Sequence, residues 1–321
     1  MLDERGRDIR YLRLSVTDRC NCRCVYCMPE GGVPRRDHGE MATFEELRDI
    51  VRAAVTLGVR KVRVTGGEPL VRRGIVRLVH MLAEVPGVEE LAMTTNGTLL
   101  APLAAGLRDA GLDRLNVSLD TLDVDRYRSM TRCGSLENAL AGLRAAREAG
   151  LGPTKLNCVL LGGVNEKDIV PLAELARDGA DGELGVASVR FIELMPMGAC
   201  ASWPRERFVS ADVVVDEVAG LVPAGQDGVT QLYRKEGWRG TIGLIRPVSH
   251  GFCKTCDRIR VTADGMLKPC LHSRAEISLR GLSGPELVAA LRQGIAAKPA
   301  RHHLGVAHAS ATPRSMNQIG G

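Results

Sequence analysis

The sequence predicts an α/β fold, an incomplete (βα)6 TIM-like barrel followed by a smaller C-terminal α+β segment. Strand and helix patterns alternate through residues 10–194, and such alternation predicts a parallel sheet with helical crossovers. The predicted strands also alternate polar and apolar residues, whereas a parallel strand buried on both faces would be a continuous apolar run. Polar faces from several strands fit a lumen that holds a ligand. A doubly wound sheet with one poorly covered face is the alternative.

The barrel elements follow in order from local signals. Residues 10–17 form the first predicted strand, and a capping box of Thr43 and Glu46 begins a helix over 43–57 that Gly58 ends. The other predicted strands are 60–65, 91–95, 113–119, 154–160 and 187–194. The other predicted helices are 74–83, 99–110, 124–130, 135–149 and 166–178.

The pattern changes after Pro196. We predict helices at 211–220 and 283–297, with short strands at 229–235, 240–245, 258–262 and 266–269. The chain therefore divides into a partial barrel (1–196), a C-terminal α+β segment (197–299) and a polar tail (300–321).

Composition excludes several classes of protein. The 321 residues are 45% apolar and 25% charged, which is typical of a globular protein. The net charge is only +5, and no run of five like charges suggests a nucleic-acid-binding arm. No stretch approaches the 18 apolar residues of a membrane span, and the charged N-terminus lacks a secretory leader. We therefore expect a cytoplasmic protein without nucleic-acid or membrane partners.

A first cysteine cluster follows the first predicted strand. Cys20, Cys24 and Cys27 have C-x3-C-x2-C spacing at the strand end where α/β barrels place their chemistry. Three thiolates are one short of closing a zinc or iron–sulfur site, so a coordination position stays open for a small molecule. A structural zinc site is the alternative. Cys22 would point away from its neighbours if this segment is extended.

A second cluster, Cys253, Cys256 and Cys270, has C-x2-C-x13-C spacing. The spacing alone favours a zinc ribbon with His272 as the fourth ligand.

Both clusters take part in a wider resemblance. The first motif, with Tyr26 before its last cysteine and Gly66-Gly67-Glu68-Pro69 after the second strand, resembles the radical S-adenosylmethionine superfamily signature. The second, Phe252-Cys-x-x-Cys-x-Arg-Ile-Arg, resembles the GTP 3′,8-cyclases, the molybdenum cofactor biosynthesis protein A family. Further similar segments run nearly end to end, including the terminal Arg314-Ser-Met-Asn-Gln-Ile-Gly-Gly.

The resemblance implies a lyase with two [4Fe–4S] clusters and S-adenosylmethionine. The first cysteine triad would hold the cluster that cleaves S-adenosylmethionine, and the second triad would hold a cluster that contacts guanine. The resulting 5′-deoxyadenosyl radical would convert GTP to (8S)-3′,8-cyclo-7,8-dihydroguanosine 5′-triphosphate, the first step of molybdenum cofactor biosynthesis. The implied partners are a one-electron reductant and a downstream enzyme that forms the cyclic pyranopterin, and both monomer and homodimer remain open.

The same resemblance assigns roles to single residues. The predicted S-adenosylmethionine contacts are Tyr26, Gly67, Ser118 and Met195. The predicted GTP contacts are Arg13, Arg63, Thr94, Lys155, Arg258, Ile259 and Arg260. The residues assigned to catalysis are Cys20, Cys24, Cys27, Arg258, Arg260, Gly320 and Gly321. Strand alternation independently places Arg63, Ser118 and Lys155 on polar faces, where converging cations suit a triphosphate.

Three departures from the family pattern and one feature of the tail bear on function. Cys22 stands where the family usually has an aromatic residue, Asp257 stands where it usually has Asn, and residues 178–185 are longer than usual. A polar tail ending in glycines is ordinarily disordered, but the resemblance implies that it folds back into the barrel mouth.

A peptide-maturing radical enzyme and a non-enzymatic zinc protein are the alternative functions.

Overall fold

The computed structural model describes residues 1–34, 37–305 and 309–320. The strands are β1 (Tyr11–Ser15), β2 (Lys61–Thr65), β3 (Glu90–Thr95), β4 (Arg114–Ser118), β5 (Thr154–Leu160), β6 (Val186–Glu193), β7 (Leu221–Asp227), β8 (Thr230–Lys235), β9 (Thr241–Ile245), β10 (Arg258–Val261), β11 (Met266–Lys268) and β12 (Ile277–Ser278). The helices are α1 (Phe44–Thr56), α2 (Ile75–Ala83), α3 (Ala104–Asp109), α4 (Val124–Thr131), α5 (Leu136–Glu148), α6 (Ile169–Glu174), α7 (Val213–Glu217), α8 (Gly284–Ala296) and α9 (Met316–Ile319).

Across those residues, twelve strands form a single sheet in the order β12-β11-β10-β1-β2-β3-β4-β5-β6-β9-β8-β7. Strands β1 to β6 are parallel neighbours in chain order. The order is linear, so the barrel is incomplete, and the predicted α/β class is confirmed. β10 and β9 lie on either side of this six-stranded array and pair in parallel with β1 and β6. The proposed division at residue 196 therefore separates sequence patterns rather than separate sheets.

Strand alternation separates an apolar outer face from a polar lumen. On β1, Leu12 and Leu14 are fully buried in the main apolar core, whereas Arg13 between them lines a central cavity. On β2, Val62 and Val64 pack into the same core, and Arg63 faces the cavity. Because the outer face of the sheet already packs into the apolar core, the inner face can carry polar side chains.

Most predicted elements are present, and the differences have local causes. The capping box of Thr43 and Glu46 begins α1 as predicted. The helix predicted from residue 99 begins instead at Ala104, because Pro102 disfavours helical backbone at the residue before it. β7 was not predicted because it contains Pro223 and lacks alternation, and it is held as an edge strand by antiparallel pairing with β8.

No helix within the described ranges has both the length and the apolar character needed to cross a membrane.

Gly142 provides a stability test of the helical layer. A Cβ at Gly142 would overlap the carbonyl oxygen of Gly97, a backbone atom that cannot easily move, so we expect Gly142→Ala to lower the free energy of unfolding. Overpacking typically costs about 1–3 kcal/mol, which outweighs the gain of about 1 kcal/mol in helix propensity. Urea unfolding followed by circular dichroism measures the change.

Gly106→Ala is the matched control. Its Cβ would lie 3.8 Å from the nearest atom, a methyl of Val76, so we expect the free energy of unfolding to rise by up to about 1 kcal/mol. Equal effects of the two substitutions would contradict this account of α5 packing.

Candidate active site

A single cavity of about 380 Å³ occupies the lumen of the partial barrel. All six cysteines of the two predicted triads contribute to its wall, together with polar side chains from the inner strand faces. The fold therefore brings two motifs more than 200 residues apart in the sequence to one chamber.

The loop of the first triad is held by side chains that follow β3 and α4. Asn96, directly after β3, donates from Nδ2 to Asn21 Oδ1 over 2.9 Å, and Asn21 Nδ2 donates to Thr98 Oγ1 over 2.8 Å. Arg132 Nη1 donates to the carbonyl oxygen of Arg23 over 2.9 Å. These contacts tie the loop to the segments after β3 and α4.

Hydrogen-bond donors approach the sulfur atoms of this triad. The Cys22 amide lies 3.3 Å from Cys20 Sγ, and Asn96 Nδ2 lies 3.8 Å from the same sulfur. Hydrogen bonding by Cys22 lowers the pKa of Cys20, whereas burial raises the pKa of Cys27 to about 12 despite a hydrogen bond from the Asn317 backbone. A bound metal cation would reverse the effect of burial, because a coordinating thiol is deprotonated. The three cysteines are free thiols, and hydrogen bonds to cysteine sulfur are a feature of iron–sulfur sites, so this triad suits an iron–sulfur cluster.

The expectation that Cys22 points away from its neighbours is wrong. Cys22 is buried beside Cys20 and lines the same cavity. The expectation assumed an extended segment, but residues 21–28 contain bends and a turn, so the alternation of a strand does not apply.

The glycine pair after β2 packs backbone against backbone with the segment before Cys20. The Gly67 amide donates to the Thr17 carbonyl, and the Glu68 amide donates to the Arg19 carbonyl, both over 2.8 Å. A Cβ at Gly67 would lie 2.5 Å from the Arg19 carbonyl oxygen, so only glycine permits this approach.

Buried Glu68 ties this segment to the next strand. Its carboxylate accepts from Thr95 Oγ1 over 2.8 Å and from the Asn96 amide over 2.6 Å. Burial raises the pKa of Glu68 to about 7. Glu68 thus positions Asn96 beside Cys20, a role that spacing alone does not reveal.

Every residue predicted to contact S-adenosylmethionine lies in the cavity wall, namely Tyr26, Gly67, Ser118 and Met195. Tyr26 donates from its hydroxyl to Asp120 Oδ2 over 2.7 Å, which fixes the ring beside the first triad. Burial raises the pKa of Asp120 to about 6. The individual contacts stay predictions.

The floor of the cavity is strongly basic. It includes Arg13, Arg63, Arg258 and Arg260 from the inner faces of β1, β2 and β10, with Thr94 from β3. The guanidinium carbons of Arg63 and Arg258 lie 5.6 and 5.4 Å from the ring centroid of Tyr11. Burial lowers the pKa of Arg13 well below its usual range, and repulsion from Arg260 adds to this effect.

Several of these buried groups await a partner. Considering only the residues that the structure describes, no hydrogen-bond partner reaches Arg13 Nε, Arg63 Nε, Arg190 Nε, Arg258 Nε or Thr94 Oγ1. A buried polar group without a partner is costly, so this set of donors is suited to an anion with several oxygen atoms. Arg190 could have been found from sequence, because it alternates with Val189 and Phe191 on β6 as Arg63 does on β2.

Two residues predicted to contact GTP have side chains that do not line the cavity, and their contacts with GTP stay predictions. The side chain of Ile259 is fully buried in the apolar core, because alternation on β10 turns it away from Arg258 and Arg260. Lys155 lies beside the cavity wall, where its Nζ is 2.7 Å from Asp227 Oδ2.

Asp227 joins distant parts of the sheet. Its Oδ2 also lies 2.6 Å from an Arg190 nitrogen, and the next residue, Gly228, would place a Cβ 3.9 Å from Arg258 Nη2. The turn between β7 and β8 therefore reaches from β6 towards β10, across the open side of the barrel.

The C-terminal tail enters the same chamber. Arg314 forms ion pairs with Asp264 and Glu276 at 3.0 and 2.7 Å. Further on, Asn317 lines the cavity, and Arg260 Nη1 donates to the Gly320 carbonyl over 2.8 Å. Gly321 lies outside the described residues.

The side-chain arrangement bears on which metal group could bind. In the described part of the chain, no three His, Cys, Asp or Glu side chains converge closely enough to hold one metal ion. A [4Fe–4S] cluster makes a different demand, because its cysteines bind separate iron atoms.

Comparison with solved structures agrees with this architecture. The crystal structure of Streptococcus suis SuiB bound to precursor peptide SuiA superposes with a TM-score of 0.65, covering 91% of this chain and 67% of that chain. The S-adenosylmethionine-bound form of SuiB gives a TM-score of 0.59 and covers 89% and 68%. Sequence identity is 13% in both cases, so the likeness shows the fold alone.

Sequence comparison identifies the family. The family model of the Radical SAM superfamily matches residues 14–176, and that of Molybdenum Cofactor Synthesis C matches residues 187–304. Curated proteins named GTP 3′,8-cyclase from Alkaliphilus metalliredigens (strain QYMF) and Pelotomaculum thermopropionicum (strain DSM 13744 / JCM 10971 / SI) are 45% and 46% identical, over 100% of both chains in each pair. The chain therefore belongs to the GTP 3′,8-cyclase family of the radical S-adenosylmethionine superfamily.

Proposed function

We propose that this enzyme converts GTP to (8S)-3′,8-cyclo-7,8-dihydroguanosine 5′-triphosphate, the first step of molybdenum cofactor biosynthesis. One observation carries the proposal: a single cavity joins both cysteine triads to a basic floor. In that floor the buried Nε atoms of Arg13, Arg63 and Arg258 have no hydrogen-bond partner among the described residues. A nucleoside triphosphate matches such a site, because its phosphates can accept from several guanidinium groups at once.

Membership of the superfamily implies a [4Fe–4S] cluster and S-adenosylmethionine. We assign the cluster to Cys20, Cys24 and Cys27, and S-adenosylmethionine to the wall formed by Tyr26, Gly67, Ser118 and Met195. When bound and reduced, this pair supplies the radical chemistry that removes a hydrogen atom from the substrate. The protein orients both groups within the lumen.

The second triad completes the substrate site in this proposal. Cys253, Cys256 and Cys270 would hold a second [4Fe–4S] cluster that meets the guanine base. Arg13 and Arg63 would hold the triphosphate together with Arg258, Arg260 and Thr94. The family also implies a one-electron reductant and a downstream enzyme that consumes the cyclic product.

Iron analysis of anaerobically purified protein tests the two-cluster assignment. Two clusters of four predict a brown protein with about eight irons per chain. Cys24→Ser and Cys256→Ser should each lower the count towards about four, since each removes one ligand of one cluster. Cys133→Ser is the matched control, because Cys133 is an exposed free thiol outside both triads. A colourless, zinc-loaded protein would overturn the proposal.

Product analysis tests the substrate. With reductant, S-adenosylmethionine and GTP, the protein should yield 5′-deoxyadenosine and the cyclic nucleotide together. Cleavage of S-adenosylmethionine without conversion of GTP would reject GTP as the substrate.

Asp227 should compete with substrate phosphate. The carboxylate of Asp227 forms ion pairs with Lys155 and Arg190, which are then less available to a phosphate group. We therefore expect Asp227→Asn to tighten binding of inorganic tripolyphosphate about fivefold, which corresponds to roughly 1 kcal/mol for a partly exposed ion pair. Calorimetric titration measures the affinity. Asp181→Asn, which removes an exposed pair with Arg239, should leave it unchanged. Weaker binding by Asp227→Asn would show that Asp227 organises the anion site instead.

Deletion of Gly320 and Gly321 tests the role of the tail. The Gly320 carbonyl accepts from Arg260, and the residue packs against Ser15 and Thr65 at the very end of the chain. Few core contacts should be lost with it, so the fold and both clusters should persist. Cyclisation of GTP should fall at least roughly tenfold, about 1.4 kcal/mol of transition-state positioning. Circular dichroism and iron analysis control for folding. Unchanged cyclisation would show that the two glycines are dispensable.

A further inference from the structure

Two buried cations that are not among the predicted GTP contacts lie beside the second triad. Arg7 is 7% exposed and Lys298 is 5% exposed, and both line the cavity. A buried charge is retained at low cost only where its hydrogen-bonding groups are satisfied. The partners of these two cations therefore indicate what they do.

Arg7 connects the N-terminal segment to the second triad. Its Nη1 donates to the carbonyl oxygen of Cys253 over 3.0 Å, and its Nη2 donates to the carbonyl oxygen of Lys298 over 3.2 Å. Asp3 orients the guanidinium by accepting from Nε over 2.6 Å. One planar group thus joins three separate segments of the chain.

Lys298 makes the corresponding contacts to the other two cysteine segments. Its Nζ lies 3.5 Å from Cys256 Sγ and donates to the carbonyl oxygens of Arg258 and Pro269 over 2.8 and 3.1 Å. Pro269 directly precedes Cys270. Between them, Arg7 and Lys298 therefore contact each of the three segments that carry the second triad.

We propose that Arg7 and Lys298 form a clasp that positions Cys253, Cys256 and Cys270 for the second cluster before that cluster binds. The inference rests on the proposed function, because it presupposes that this triad holds a cluster. Cys256 and Cys270 are separated by 13 residues, so gathering them unaided would cost loop-closure entropy at the moment of cluster binding. A clasp made during folding moves that cost ahead of binding, which is how preorganisation strengthens binding.

Iron content of anaerobically reconstituted protein is the first test. Arg7→Met and Lys298→Met should each lower iron from about eight towards about four per chain, the content of one cluster instead of two. The electron paramagnetic resonance signal of the reduced first cluster should persist. Arg5→Met is the matched control, because Arg5 is an exposed arginine in the same N-terminal segment.

The outcomes separate the clasp from the proposed function. Wild-type protein with only about four irons would reject the second cluster itself. If wild type, Arg7→Met and Lys298→Met all contain about eight irons, the clasp is rejected while the second cluster is retained. Loss of both clusters in the variants would also overturn it, since a general folding defect is not positioning of one triad.

Hydrogen–deuterium exchange of the cluster-free protein provides a measurement that is independent of iron. Amides of residues 253–270 should exchange at least tenfold faster in Arg7→Met than in Arg5→Met, while those of β2 and β3 keep their rates. Equal exchange in the two variants would show that the triad is positioned without Arg7.

Discussion

The burial of many like charges in one lumen is the constraint on which the rest of this structure depends. Parallel strands that alternate residue by residue place Leu12 and Leu14 in the apolar core and Arg13 inside the barrel. The outer face supplies the hydrophobic free energy that holds the sheet together. The inner face can then carry guanidinium groups that would be unfavourable in a barrel filled with apolar side chains.

The inner charges are compensated in two different ways. Lys155 and Arg190 have a carboxylate, that of Asp227 at the end of β7. Arg260 instead contacts a backbone carbonyl, that of Gly320. A carbonyl oxygen carries only a partial negative charge, so the positive charge of Arg260 is not neutralised and the floor of the cavity stays basic. The distribution of partners therefore leaves a field that favours a polyanion deep in the cavity, next to both triads.

The sequence predicts those parts of the molecule that depend on local pattern. Alternation placed Arg63 and Ser118 in the lumen, and a capping box located the start of α1. Errors occurred where the governing contact is distant in sequence. Cys22 lies in an irregular loop held by Asn96 and Arg132 from distant parts of the chain, and β7 is held as a strand by pairing with β8. The alternation rule also places the side chain of Ile259 in the core, and the contact with GTP that the family resemblance implies for this residue stays a prediction.

Both chain termini contribute to a chamber that the barrel alone leaves incomplete. The N-terminal segment reaches the second triad through Arg7, and the C-terminal tail reaches the first through the backbone of Asn317. Each contact joins residues more than 200 positions apart, so it exists only where distant parts of the chain have been brought together. The cysteines of the site are therefore positioned by the fold as a whole rather than by their own spacing.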